Sequence, residues 1–218
     1  MDIETLRVEL AHLDAASICD ADKTVRVMDA GIRPVRTGLT LLGFARTVRT
    51  GDDFLTVLKA LREASPGEVL VIDTQGARRA VAGELFSTEA QRKGLAGIVI
   101  DGACRDTRTL RELPLPVYAR SANPLAGTSR ELHETQVPVS CGGVTVEPGD
   151  VVFGDDDGIV VLTPADLPRL LPIAREIQRA ERTALERMSR GESLFDLLNF
   201  DEHEAALRSG RESRLKLG

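Results

Sequence analysis

The adjacent pair Arg105-Asp106 is the part of the sequence best suited to chemistry, because it joins a cation to an acid directly after a strand-like segment. A guanidinium presents a planar set of donors that can pair with a carboxylate or an enolate oxygen. A carboxylate is a hard oxygen ligand of the kind that magnesium and manganese prefer. The pair could therefore hold a small oxo-acid beside a divalent cation.

A second segment, Ala82-Gly83-Glu84-Leu85-Phe86, places a glycine and an acid at the expected start of a helix. Free backbone N–H groups at a helix N-terminus attract anions such as carboxylates. Taken singly, each segment has a commoner explanation, since such residues often cap helices or pair on the surface. The chemistry therefore depends on whether the fold brings the two segments together.

The elements around these segments alternate between strand and helix. The apolar patterns predict strands and helices in this order: a strand over 38–50, a helix from Phe54 to a stop at Pro66-Gly67, the strand EVLVID, a helix over 84–93, a strand over 98–100 ending at Asp101-Gly102, a short helix after Asp106 and a strand over 117–119. Consecutive units of this kind predict a sheet with parallel pairing and helical cover. Ligands of such sheets bind at the carboxyl edge, where we expect Arg105 and Asp106 to lie.

The remaining segments differ in character from this α/β region. Residues 3–26 predict N-terminal helices, and residues 137–162 carry short strands and glycine turns that predict an antiparallel second layer. Thr163-Pro164-Ala165-Asp166 is typical of a helix start, which we expect Pro168 and Pro172 to interrupt. Beyond Pro172, a helix with an apolar stripe is expected to lead into a polar end.

The amino-acid composition argues against several classes of protein, namely nucleic-acid-binding, membrane-spanning and disulfide-bonded proteins. The 218 residues contain 34 acidic and 28 basic side chains, a formal charge of -6, so direct nucleic-acid binding is not expected. No run of residues has membrane-spanning length and no signal peptide is evident, which predicts a cytoplasmic protein without membrane contact. Cys19, Cys104 and Cys141 have no paired spacing and are expected to be buried, reduced thiols.

The ordered segments GELF, GLAGIVIDGACRD, LPVYARSANP and VPVSCGGVTVEPGDVVFGDDDGIVVL resemble the RraA-like family over most of the chain. The resemblance implies a three-layer β/β/α swivelling-domain-like fold with N-terminal helices and a long C-terminal helical arm. It divides the chain into an RraA-like α/β domain over 1–163 and an arm over 164–218 that contacts a neighbouring subunit. It also implies homotrimers or homohexamers with active sites between subunits.

The resemblance further implies an activity. Several family members are class II pyruvate aldolases that act on 4-hydroxy-4-methyl-2-oxoglutarate or 4-carboxy-4-hydroxy-2-oxoadipate and also decarboxylate oxaloacetate. By motif, Asp106 resembles the only direct protein ligand of a Mg²⁺ or Mn²⁺ ion, and Glu84 resembles the residue that holds some of its waters. Arg105 resembles the residue that binds the keto oxygen and stabilises the enolate.

The same resemblance assigns the substrate's carboxylate to the amides of Leu85 and Phe86, after Gly83. It implies a further catalytic acid from the C-terminal helix of a neighbouring subunit, for which Glu181 is favoured over Glu186. Family aldolases commonly have Gly-Asp-Asn where this chain has Gly51-Asp52-Asp53, and a glycine-rich turn where it has Thr74-Gln75. Either change is expected to affect which oxo-acid fits.

A different function class stays open at this point, because some RraA-like proteins resemble regulators that bind ribonuclease E and catalyse nothing. Fold similarity does not separate the two functions. The joint presence of Glu84, Arg105 and Asp106 favours an enzyme. The long helical C-terminal arm, which carries acids, favours it too, since the regulators look shorter at that end.

Overall fold

A mixed sheet of nine strands runs through the middle of the molecule in the computed structural model, which describes residues 2–217. Its strands are β1 (Arg26–Val27), β2 (Arg33–Pro34), β3 (Leu41–Arg49), β4 (Glu68–Asp73), β5 (Ala80–Ala82), β6 (Gly97–Cys104), β7 (Val117–Ala122), β10 (Val151–Gly154) and β11 (Ile159–Leu162). A separate hairpin consists of β8 (Val139–Cys141) and β9 (Val144–Val146). The helices are α1 (Ile3–Leu10), α2 (Ala15–Ala21), α3 (Leu55–Glu63), α4 (Glu84–Arg92), α5 (Thr107–Leu110), α6 (Leu167–Ser189), α7 (Leu194–Leu197) and α8 (Phe200–Arg208).

The strand order is β1-β11-β10-β3-β4-β6-β7-β2, with β5 paired to β6 on the side of the main path. The pairs β3·β4, β4·β6 and β6·β7 are parallel, and the pairs at either side of them are antiparallel. The α–β units predicted from the sequence are therefore confirmed, with α3 and α4 as the crossover helices. The carboxyl ends of β4 and β6 lie at the same edge of the sheet.

Alternate residues of the central strands face different layers. Val69 and Val71 pack in a cluster with hairpin residues such as Val139 and Cys141. Their neighbours in β4, Leu70 and Ile72, pack in a second cluster with α3, α4 and α5. Because side chains alternate along a strand, the hairpin and the helices cover opposite faces of the sheet. The result is a hairpin, sheet and helix stack, which confirms the three-layer α/β fold expected from the sequence.

The predicted second layer is smaller than expected. Only β8 and β9 form it, while β10 and β11 extend the main sheet because β10 pairs with β3. Every residue of β10 and β11 is buried. Val152 and Val161 face the hairpin, whereas Phe153 and Val160 pack against the layer of α1, α2 and α6. Strands covered on both faces lack a polar side, and this makes them internal strands of the sheet.

The prediction that prolines interrupt the C-terminal helix is wrong, because α6 runs without a break from Leu167 to Ser189. Pro168 lies in the first turn, where a backbone N–H has no helical partner to lose. Pro172 lies inside the helix and removes one N–H donor there. Burial of Leu170, Leu171 and Ala174 in the cluster with α1 and α2 compensates for that loss.

Helix α6 carries the expected apolar stripe beyond Pro172, but most of the stripe faces solvent in the single chain. Ala184 is buried, whereas Ile173 and Met188 are exposed. The buried, free thiols of Cys104 and Cys141 agree with expectation, while Cys19 is half-buried. Between residues 2 and 217, no helix combines the length and the apolar character that crossing a bilayer requires.

Candidate active site

Strand β6 positions the Arg105-Asp106 pair. The strand continues past Asp101-Gly102, where the sequence predicted its end, and stops at Cys104. The strand continues because Ala103 and Cys104 pair with β5 and β7. The Asp101 carboxylate forms an ion pair with Arg120 and accepts the N–H of Gly142 at 2.6 Å. The pair then follows directly, with the Arg105 N–H donating to the carbonyl of Ala82 at 3.1 Å.

Asp106 turns the chain from β6 into α5. Its φ of 58° lies in the left-handed region, which aspartate tolerates better than most residues other than glycine. In this conformation its Oδ2 accepts the backbone N–H of Glu84 at 3.1 Å and lies 3.4 Å from Arg105 Nε. Its Oδ1 receives no hydrogen bond from the residues that the structure describes. One carboxylate oxygen is thus held by the protein and the other is available to a ligand.

Gly83 allows this close approach between the two segments. Its φ of -162° is extended backbone that any residue adopts, so the glycine is not needed for its conformation. A Cβ at this position would lie 2.5 Å from Asp106 Oδ2 and 2.7 Å from Arg105 Cγ. The missing side chain therefore provides the space in which both functional groups lie against the start of α4.

These residues border a cavity of about 250 Å³ at the N-terminus of α4. Arg105 and Asp106 form its charged end, and their side chains are 41% and 39% exposed, so it opens to solvent. Its apolar walls come from Phe54, Ala80, Val81, Ala82, Leu85, Phe86 and Ala126, together with Gly83. Phe54 and Phe86 meet edge to face with centroids 5.7 Å apart. The arrangement suits a small ligand with one anionic end and a short carbon chain.

Five residues predicted from the sequence line this cavity, Gly83, Leu85, Phe86, Arg105 and Asp106, whereas Phe54 and Ala126 of the wall were not predicted. The helical spacing of apolar residues assigned Phe54 to the apolar face of a helix. That spacing does not indicate that its side chain lines the cavity. Ala126 comes from a loop that pairs with Ala80 through an isolated β-bridge. Such long-range contacts of small residues cannot be inferred from local pattern.

Glu84 lies beside the cavity rather than in its wall. The Thr109 hydroxyl donates to its Oε2 at a long distance of 3.4 Å, and its side chain is exposed. Nowhere in residues 2–217 do three or more histidine, cysteine or acidic side chains gather as a metal cluster. The donor set at the cavity is therefore two carboxylates, Asp106 and Glu84. Such a sparse oxygen set fits magnesium or manganese, which keep several waters, and does not fit structural zinc.

Glu181 and Glu186 lie on the exposed part of α6 and make no contact with the cavity within the described chain. The cavity walls come from other elements, and the buried part of α6 packs on α1 and α2. A role for either acid requires a neighbouring subunit, so the assignment of Glu181 stays a prediction.

Asp53, where the family commonly has asparagine, holds a loop rather than facing a ligand. Its side chain is buried and accepts hydrogen bonds from Leu55 N at 2.8 Å, Arg130 N at 2.6 Å and the Thr128 hydroxyl at 2.7 Å. Burial alone raises the pKa of the Asp53 carboxyl, but these hydrogen bonds outweigh it and keep the pKa below its ordinary value. Any effect of Asp53 on the ligand passes through its neighbour Phe54, which lies in the cavity wall.

Several known proteins are similar to this chain over most of its length. A protein of Halalkalibacterium halodurans named "Putative 4-hydroxy-4-methyl-2-oxoglutarate aldolase" is 39% identical over 172 residues, which cover 78% of this chain and 81% of that protein. The crystal structure of Streptomyces coelicolor RraAS2, described as an unusual member of the RNase ES inhibitor RraA family, has a TM-score of 0.75 at 30% identity over 84% of this chain and 98% of that one. The RNA-processing inhibitor RraA from Thermus thermophilus gives a TM-score of 0.64 at 32% identity over 68% of this chain and 91% of that one.

These two structures cover different shares of this chain, 68% and 84%. The expectation that the C-terminal arm favours an enzyme stays a prediction. The RraA-like family model, described as Aldolase/RraA, matches residues 15–161, which extend from the first residue of α2 into β11 and include every cavity residue. The chain belongs to the aldolase/RraA family.

Proposed function

We propose that the protein is a carbon–carbon lyase that cleaves 4-hydroxy-2-oxo diacids, such as 4-hydroxy-4-methyl-2-oxoglutarate, into pyruvate and a second oxo-acid. Oxaloacetate decarboxylation is its expected side activity. One observation carries the proposal: the Arg105 guanidinium and the Asp106 carboxylate border the same cavity as the N-terminus of α4. A family name alone would not distinguish an enzyme from a binding protein.

Substrate binding begins at the N-terminus of α4. The Glu84 N–H is already used by Asp106, and the following amides of Leu85 and Phe86 belong to the first turn, where N–H groups have no partner within the helix. These amides receive the carboxylate of the pyruvyl end, which the positive end of the helix dipole also attracts. The apolar wall then contacts the carbon chain and limits its size.

In the reaction, the bond between C3 and C4 breaks and its electron pair moves into the pyruvyl fragment, giving an enolate. Arg105 donates to the former keto oxygen, where negative charge develops. The exposed Glu84 carboxylate accepts the C4 hydroxyl proton, directly or through a water. A solvent proton then adds to C3 and yields pyruvate. With oxaloacetate the same C3–C4 bond breaks and the C4 carboxylate leaves as carbon dioxide, so the enolate forms without removal of a hydroxyl proton and is then protonated at C3.

A divalent cation is part of this proposal. Asp106 would hold Mg²⁺ or Mn²⁺ through its free Oδ1, with Glu84 acting through water. Such an ion supplies a Lewis acid that draws charge onto the keto oxygen. The same proposal includes a homotrimer or homohexamer in which Glu181 of a neighbouring subunit completes the site.

A coupled assay of pyruvate release tests the proposal. Oxaloacetate and 4-hydroxy-4-methyl-2-oxoglutarate are supplied with Mg²⁺, with Mn²⁺ or with a chelator. Arg105→Ala should lower turnover ~10²–10³-fold, as loss of an oxyanion donor does. Arg105→Lys should restore little of it, because a point charge does not replace the planar fork. Arg108→Ala, on the exposed side of α5, is the matched control and should retain activity.

Two results would contradict the proposal. One is activity that survives removal of divalent ions. The other is an Arg105→Ala variant that releases pyruvate at the rate of the Arg108→Ala control.

The likeness to the Streptomyces RraAS2 structure supports a second candidate, a protein that inhibits an RNase E type enzyme by binding it. Purified ribonuclease E activity on a short RNA, measured with and without the protein, distinguishes the two. If the protein inhibits at stoichiometric concentration and Arg105→Ala inhibits equally, while neither oxo-acid is cleaved, the second candidate replaces the first.

A further inference from the structure

Part of the apolar wall of the cavity comes from three segments that are distant in sequence. Phe54 directly precedes α3, Ala80 begins β5, and Ala126 belongs to residues 125–131, which we name the wall loop. The wall loop lies beside β5, because the N–H and the carbonyl of Ala80 each form a 2.9 Å hydrogen bond with its backbone. A loop in a binding site keeps a fixed shape only where other residues hold it.

A single buried carboxylate, that of Asp53, holds the wall loop against the start of α3. Its Oδ2 accepts hydrogen bonds from the Thr128 hydroxyl at 2.7 Å, the Arg130 N–H at 2.6 Å and the Glu131 N–H at 3.2 Å. Its Oδ1 accepts the Leu55 N–H at 2.8 Å. Four donors thus meet on one carboxylate that is only 2% exposed. Hydrogen bonds to a charged group are stronger than neutral ones, and more so away from water, so Asp53 fixes the loop relative to the first turn of α3.

The neighbouring acid, Asp52, connects the third segment to the other two. Its Oδ1 accepts the N–H groups of Arg78 at 3.1 Å and Arg79 at 2.8 Å, directly before β5. Its carbonyl accepts the Thr128 N–H of the wall loop at 2.8 Å. Neither acid belongs to the lining of the cavity. Both therefore act on a ligand only through the position of the wall.

We propose that Asp53, together with Asp52, is a positioning residue that determines how large a group at C4 of the substrate the cavity admits. This inference rests on the proposed function, in which the apolar wall contacts the carbon chain. A fixed apolar pocket discriminates ~10–200-fold against a group with one methylene too many. Arg105 and Asp106 are held by β5 and by the start of α4 instead, so the two acids should affect substrate choice more than the chemical step.

An amide cannot fully replace the Asp53 carboxylate, although the two groups have the same shape. Asparagine has one acceptor oxygen and an NH₂ group that only donates. In one orientation of the amide this NH₂ faces the Leu55 N–H, and in the other it faces the N–H groups of Arg130 and Glu131. At Asp52 an amide should be tolerated, because both N–H groups donate to the same oxygen.

Two substrates that differ by one methylene test the inference: 4-hydroxy-4-methyl-2-oxoglutarate and its 4-ethyl homologue, both assayed with Mg²⁺. The unmodified protein should prefer the methyl compound at least about tenfold in kcat/KM. Asp53→Asn and Thr128→Val should each lower this ratio at least roughly threefold, mainly through KM, while kcat with oxaloacetate stays within about twofold. Asp52→Asn should keep the ratio. Thr163→Val is the matched control for Thr128→Val, because the Thr163 hydroxyl also donates to an aspartate, Asp166, at 2.6 Å but away from the cavity.

Specific outcomes overturn the inference. It fails if the unmodified protein cleaves both compounds equally well, if Asp53→Asn and Thr128→Val keep the ratio, or if Thr163→Val lowers it as much. Circular dichroism of each variant separates misfolding from a displaced wall.

Hydrogen exchange separates failure of this inference from failure of the proposed function, because it requires no turnover. The amides of Ala80 and Gly127, which join β5 to the wall loop, are followed by mass spectrometry. A protein that cleaves no oxo-acid contradicts the proposed function. Faster exchange of these amides in Thr128→Val than in Thr163→Val then still supports the positioning role, and equal exchange contradicts it.

Discussion

Replacing Gly83 by alanine is expected to disable the site while leaving the fold intact. The added Cβ would lie 2.5 Å from Asp106 Oδ2, and ordinary contacts begin near 3.4 Å, so the carboxylate must move by about 0.9 Å. Arg105 must move as well, because its Cγ would lie 2.7 Å from the new atom. A displacement of ~1 Å in a positioned group can cost about 10²-fold in rate. We therefore expect a fall of that size in turnover.

The cost in stability should be small for two reasons. Arg105 and Asp106 are 41% and 39% exposed and can move toward solvent, and the extended backbone of Gly83 suits alanine. Loss of the hydrogen bond from the Glu84 N–H costs about 1 kcal/mol, and the lower entropy of the unfolded alanine chain offsets part of it. The free energy of unfolding should thus change by no more than about 1 kcal/mol.

Three measurements check this prediction: pyruvate release at saturating oxaloacetate, Mn²⁺ binding followed by electron paramagnetic resonance, and urea unfolding. Gly51→Ala is the matched control, because a Cβ there meets nothing within 4 Å. Gly83→Ala should lose turnover and Mn²⁺ affinity, whereas Gly51→Ala should lose neither. If Gly83→Ala binds Mn²⁺ and turns over like the unmodified protein, the steric reasoning is wrong.

Two further substitutions test the fold around the site. Asp53→Ala leaves several buried donors without an acceptor and should lower the free energy of unfolding by about 1–3 kcal/mol at pH 7, as measured by urea unfolding. Because the folded pKa of Asp53 is lowered, the contribution of its carboxylate is fully present above the ordinary aspartate pKa and is lost as pH falls through the folded pKa, so the difference in stability between the two proteins should begin to narrow below about pH 4. Pro172→Ala restores an N–H inside α6 and should raise the free energy of unfolding by about 1–2 kcal/mol. An unchanged urea midpoint would show that the proline does not destabilise the helix.

The sequence predicted the α/β units well because their signals are local. The helix α3 is marked by apolar spacing and ended by Pro66-Gly67, and β4 is a continuous apolar run. The strand β6 was predicted too short because its last residues pair with β5 and β7, which are distant in sequence, and because Asp101 forms an ion pair with Arg120 of β7. Similarly, β10 and β11 were assigned to a second layer because turn residues indicate hairpins but not the sheet that a hairpin joins.

The candidate site, too, has features with a local signal in the sequence and features that depend on residues distant in sequence. Local pattern singled out Arg105-Asp106 and the segment with Gly83, Leu85 and Phe86, and the family resemblance added the role of each residue. The reason for the glycine was hidden, since it concerns the space between residues that are distant in sequence. The apolar wall with Phe54 and the placement of α8 also depend on contacts between distant segments.

The left-handed turn at Asp106 ties the acid to the end of a central strand, and only an absent methyl group at Gly83 lets it lie there. A glycine codon becomes an alanine codon by a single nucleotide change. A change from a catalytic to a purely binding protein would therefore need no rearrangement of the fold. In a duplicated gene, this one substitution could abolish the proposed activity and leave the surfaces that bind other proteins unchanged.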